Sequence, residues 1–178
     1  MSQVITPTFN FLPLGAVKPS GWLRAQMQSD LERGFVGRLD ELVPDLIQKD
    51  DIYGADRLTQ AAKTKDLGVV AKESQWEVQF LWWNSETQSN WWDGLARTAI
   101  LLDHPQYLEK VHARVEQLLA TQDADGYLGI YAPDLRFNFS SENGELWAQT
   151  SLFRLLLGWY EAAQDERVIA AVCRAVNV

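Results

Sequence analysis

Residues 145–163, ELWAQTSLFRLLLGWYEAA, make a helix-length run that is apolar on nearly every side. Leu146, Phe153, Leu156, Leu157 and Tyr160 mark one helical face, yet Leu152, Leu155 and Trp159 fall on the others. A helix with no consistently polar face needs other helices around it. The run that follows, QDERVIAAVCRAV, restarts after a short turn and is half polar, with Val168, Ile169, Val172 and Val176 marking its buried side. An inner helix and an outer helix joined by a tight turn is therefore the expected unit.

That unit recurs. When LLDHPQYLEKVHARV is laid against EAAQDERVIAAVCRAV, the acidic turns coincide. Tyr107 and Leu108 then match Val168 and Ile169, Val111 matches Val172, and Val115 matches Val176. A repeated helical hairpin implies stacked units that share a core. With a fully apolar helix alternating with a half-polar one, the expected fold is all-α, a partial (α/α)6 toroid. Upstream, Pro19 and Ser20 open a helix expected to run to about Leu42, with Leu23, Met27, Leu31, Phe35 and Leu39 at steps of four. Gly34 and Gly37 interrupt it, which implies a break or a close helix crossing. The prolines of VITPTFNFLPLGAV confine that segment to an extended edge. Residues 50–75 carry neither period and read as a long segment wrapping a face of the domain. The next helix is expected from Asn90, with Asp103, His104 and Pro105 marking its stop and the start of the following one.

Composition limits function. The 178 residues are 47% hydrophobic and 22% charged, enough for a sizeable core in one domain spanning 1–178. A formal charge of −8 spread along the chain, with no Lys/Arg block, argues against nucleic acid and anionic membranes as partners. One cysteine, Cys173, excludes an internal disulfide, and with His104 and His112 it does not complete a zinc set, so no cofactor is expected within the chain. MSQVITPTFNFLPLG lacks the pattern of a signal peptide, and no stretch is long enough to span a membrane, so a cytoplasmic location is expected.

Eight tryptophans in a chain of this size is the unusual number. Adjacent residues point in different directions, so in Trp91–Trp92 one ring is expected to be packed and the other to line a cleft. A flat aromatic face beside polar groups suits the C–H face of a sugar as well as a protein partner. TQDADGYLGIY follows an outer helix, and the segment after Ser85 precedes an inner one, so both are placed on the face where long loops gather. Trp91, Trp92, Asp93, Asp123, Asp125, Tyr127 and Glu145 are thus expected to converge on one mouth and bind substrate there. Each carboxylate also has a structural reading. Asp123 and Asp125 beside Gly126 suit a turn, while Asp93 and Glu145, each in the first turn of its helix, suit the helix dipole. No catalytic residue is assigned.

LPLGAVKPSGWLRAQM, NWWDGLARTAILLDHPQYLEKVHARVEQLLATQDADGYLG and ENGELWAQTSLFRLLLGWYEAAQDERVIAAVCRAV, in this order, resemble the N-terminal part of the glycoside hydrolase family 127 catalytic domain. These are the β-L-arabinofuranosidase-like proteins of the six-hairpin glycosidase group. The resemblance implies an (α/α)6 barrel that removes a non-reducing-end sugar, such as L-arabinofuranose, from a glycan or oligosaccharide. It also implies a cysteine nucleophile and a zinc site downstream of the matched region. Val178 falls inside a helical pattern, so the sequence is expected to be truncated, with its glycosidase activity dependent on a continuation and its exposed inner surface favouring self-association. Where the family carries histidines around the Glu-Leu pair, this chain has Gly144 and Ser151, which leaves the sugar open. The alternative is a helical-repeat interaction domain without catalysis, its tryptophans burying a partner helix.

Overall fold

The backbone adopts the expected all-α class. The computed structural model describes residue 9 and residues 11–59, 82–138 and 144–178. In chain order the helices are α1 (Gly21–Glu32), α2 (Phe35–Leu42), α3 (Pro44–Ile47), α4 (Trp83–Leu102), α5 (Pro105–Ala120), α6 (Glu145–Ala163) and α7 (Glu166–Val176). One parallel bridge, Leu58 with Tyr131, ties the segment after α3 to the loop after α5. Most of the wrapping segment expected over residues 50–75, and Trp76 with it, lies outside the described residues. Among the described residues no helix is long and apolar enough to cross a membrane.

The repeated hairpin holds at the level of dihedral angles. Asp103 ends α4 at φ 53, ψ 45, and Gln164 ends α6 at φ 54, ψ 35, both in the left-handed region. The next residues, His104 and Asp165, return to extended geometry and cap α5 and α7. Pro105 starts α5, where its missing N–H costs nothing, and the Asp165 carboxylate accepts the Arg167 N–H at the start of α7. The inner helices α4 and α6 lie side by side and run in the same direction. The Tyr53 hydroxyl touches the carbonyls of both Ser85 and Ala148 near their starts, and Arg97 meets Gly158 farther along. The outer helices also run together, joined by Glu116 to Arg167 and by Gln122 to the Ala171 carbonyl. The core between the layers includes Leu95, Val111, Val115, Leu118, Leu152 and Leu155.

The break expected at Gly34 and Gly37 divides the segment 20–42 into two helices, because the Gly34 N–H turns back to the Asp30 and Ser29 carbonyls and α2 starts on a new axis. Three expectations need correction. α4 begins at Trp83, seven residues before Asn90. Its first turns carry Asn84, Ser85, Gln88 and Ser89, all buried by hydrogen bonding rather than by apolar packing, so hydrophobic periodicity could not register them. Val176 is exposed, and the buried face of α7 continues through Ala175 instead. α6 is not covered on all sides, since Leu146, Trp147 and Leu157 are exposed along one stripe.

Gly37 shows why the α1–α2 crossing is close. A Cβ there would lie 1.8 Å from the Leu31 carbonyl oxygen and 2.6 Å from the Tyr107 hydroxyl. Gly94 in α4 is the opposite case, with open space where its Cβ would be. Gly37→Ala is expected to destabilise at the upper end of the ~1–3 kcal/mol typical of overpacking. Gly94→Ala should stabilise by ~0.5–1 kcal/mol through helix propensity. Urea midpoints at unchanged slope measure both.

Candidate functional site

The seven residues expected at one mouth separate into two groups. Trp91 and Trp92 lie in the middle of α4, and both are buried, at 7% and 8% exposure. The Trp91 indole N–H donates to the Val36 carbonyl at 2.8 Å and the ring faces α2, while the Lys110 ammonium sits 5.4 Å from its centre. Trp92 lies against Arg114 of α5, its ring 5.7 Å from the guanidinium. The expectation that one ring lines a cleft is therefore wrong. Moving the helix start from Asn90 to Trp83 turns a loop-end pair into a mid-helix pair facing the outer layer. Asp93 is likewise not in a first turn. It is buried between α4 and α6, accepting from Arg97 Nε at 2.7 Å and Arg154 Nη2 at 2.9 Å.

The other four do come together, where the loop after α5 passes the start of α6. Asp125 accepts the Tyr127 N–H at 3.0 Å, an Asx turn around Gly126, which has φ +104. Asp123 accepts from Arg57 Nη1 at 2.6 Å and also from Arg136. Burial pushes the Asp123 carboxyl up, but hydrogen bonds and charge from Arg57 and Arg136 outweigh that and hold it below the usual carboxylate range. The Tyr127 ring is buried under the Arg136 guanidinium, 3.8 Å from the ring centre, with Arg57 at 5.5 Å. Its hydroxyl donates to Glu145 Oε1 at 2.9 Å and accepts the Tyr131 N–H at 3.2 Å. Burial and the Glu145 charge push the Tyr127 hydroxyl well above its ordinary pKa, so it stays a neutral donor. The second Glu145 oxygen accepts the Phe137 N–H at 2.8 Å.

This cluster binds the protein to itself. Each carboxylate has an internal partner, and an open hollow of about 570 Å³ beside it is lined by Arg57 and Arg136, both turned to Asp123. Sequence reasoning missed the two arginines because they come from separate segments with no local pattern.

A different surface has an exposed indole beside polar groups. α4 and α6 share an exposed face with a groove of about 370 Å³, lined by Glu86 and Asn90 from α4 and by Leu146, Trp147, Thr150, Ser151 and Arg154 from α6. Trp147 is 57% exposed. One signal for this groove was present in the sequence, since Arg154 is the lone basic residue of α6. Its repeat counterpart, 61 residues earlier, is Asp93, the residue to which it is paired.

Gly144, where the resemblance led to an expected histidine, has a structural reason. The Trp82 indole packs directly over it, 2.1 Å from where a Cβ would be. Ser151 is buried on α6 and lines the groove. Among the described residues no group of three or more His, Cys, Asp or Glu side chains is placed to hold a metal ion. Comparison with family models, curated proteins and solved structures finds no match to the chain.

The Asp123 network predicts a pH signature. Its folded-state pKa lies below the unfolded value of about 3.9, so its contribution is complete above that value and is lost as pH falls through the folded pKa. Asp123→Asn should be less stable than the parent at neutral pH by a difference that persists to about pH 5 and closes below about pH 4. Urea unfolding across that range measures it.

Proposed function

We propose that this chain is the sugar-binding part of a glycan-active protein, and that it holds carbohydrate in the groove on the exposed face of α4 and α6. The observation that carries this reading is the exposed Trp147 ring beside Glu86, Asn90, Thr150 and Arg154. An indole face packs on sugar C–H groups, while a carboxylate, an amide, a hydroxyl and a guanidinium at its edge accept from and donate to hydroxyls. The resemblance to glycoside hydrolase family 127 supports the same class and points to a glycosidase that releases a non-reducing-end sugar. No pair of carboxylates is assigned to hydrolysis, which ordinarily requires an acid and a base or nucleophile flanking the bond. Asp123, Asp125 and Glu145 fasten the loop, and Asp93 fastens the two inner helices.

A second reading, docking of a partner helix, is favoured by Leu146 and Leu157 on the same exposed stripe as Trp147. Polar groups line this groove from both helices, which favours sugar.

Titration with neutral disaccharides, followed by intrinsic fluorescence and calorimetry, separates the two readings. Trp147→Ala should weaken sugar binding at least about tenfold, the scale of losing an aromatic anchor, without lowering stability. Trp91→Ala should cost about 3–5 kcal/mol of stability, as a truncated core aromatic does. A protein indifferent to every sugar, or a Trp147→Ala variant that binds as the parent does, overturns the reading.

A further inference from the structure

The charges around the groove are unequal. Asp93, 3% exposed, is one carboxylate accepting from two guanidiniums, so the trio of Asp93, Arg97 and Arg154 carries one surplus positive charge. Arg97 also donates to the Arg154 carbonyl at 3.4 Å. Arg154 lines the groove with its side chain 59% exposed. One of its terminal nitrogens is fixed by Asp93, and the other makes a longer contact to Asn90 Oδ1 at 3.4 Å. A guanidinium anchored along one edge and wet along the rest is pre-set to receive a second carboxylate in a fork. Glu86 balances this charge elsewhere in the groove, so Arg154 is a positive end of the groove rather than part of a net positive field.

Position adds a length. Trp147, Thr150, Ser151 and Arg154 fall on one face of α6 at helical spacing, and Trp147 and Arg154 are about 10 Å apart along the axis. That is the span of two linked sugar rings. The negative groove residue, Glu86, lies in the first turn of α4, toward the Trp147 end. The groove is therefore polarised, with an acceptor carboxylate beside the aromatic ring and a guanidinium about two turns beyond.

We infer that the ligand of this groove is an acidic glycan: a uronate-containing disaccharide unit whose carboxylate pairs with Arg154 while the neighbouring ring stacks on Trp147. The inference rests on the sugar-binding reading of the same groove and adds the charge and size of the ligand. Asp93 and Arg97 act as positioning residues that aim Arg154.

Calorimetric titration with a digalacturonide, its methyl ester and a neutral disaccharide tests it. The acid should bind at least about tenfold more tightly than its ester, consistent with a charge-assisted pair. That advantage should shrink as salt rises from about 50 to 500 mM and vanish in Arg154→Gln, which should keep the helical circular dichroism while melting lower than the parent, because Asp93 loses one of its two partners. Arg97→Gln should reduce it less. Equal binding of acid and ester overturns the acidic-ligand inference and leaves the sugar-binding reading standing. So does an Arg154→Gln variant that weakens acid and ester equally, because the arginine then serves only as a wall. No binding of any of the three, with Trp147→Ala indifferent, overturns both.

Discussion

The parallel contact of α4 with α6 is the constraint on which the rest of the structure depends. The two helices approach closely where Gly158 of α6 leaves room for Arg97 and Asp93 of α4. A carboxylate buried between them, Asp93, is held by the guanidiniums of Arg97 and Arg154. A buried carboxylate without such partners would cost several kcal/mol. Paired, it fixes the register of one helix on the other. Tyr53 fixes the opposite end, its hydroxyl shared between Ser89 and the carbonyls of Ser85 and Ala148. Burial pushes that hydroxyl's pKa up to about 12, so it remains a donor at any physiological pH.

Beneath this contact lies a polar layer. Asn84 and Gln88 donate to the carbonyl of Leu46, Asn84 also reaches the Asp50 carboxylate, and Gln88 takes the Asp50 carbonyl. These bonds hold α3 and the non-helical segment after it against the first turns of α4, where their backbone groups would otherwise be buried unpaired. The layer also explains what the sequence concealed. Apolar spacing revealed α5, α6 and α7 to within a residue or two, because their buried faces are Leu, Val and Ala. The start of α4 was hidden because its buried face is Asn, Ser and Gln.

The same cause divides the legible from the illegible at the sites. Of the seven residues expected at one mouth, Asp123, Asp125, Tyr127 and Glu145 lie near one another, where the turn after α5 passes the start of α6, while Trp91, Trp92 and Asp93 do not join them. Of the cluster's arginine partners, Arg57 comes from a distant segment and Arg136 from farther along the same loop, and neither carried a local sign. Trp91 and Trp92 were misplaced by one wrong helix boundary, which moved two rings from a mouth to a core. Trp147 stood in plain view in a helix thought to be wholly enclosed, and only the exposed stripe on α6 revealed its different surroundings.

The pairing of Asp93 with its own counterpart Arg154 has a topological consequence. Like units here meet with unlike residues at one repeat position, the first supplying the carboxylate and the second the guanidinium. The second unit carries Arg154 where the first carries Asp93, so this ion pair marks one particular junction and is not handed on by simple repetition of the unit.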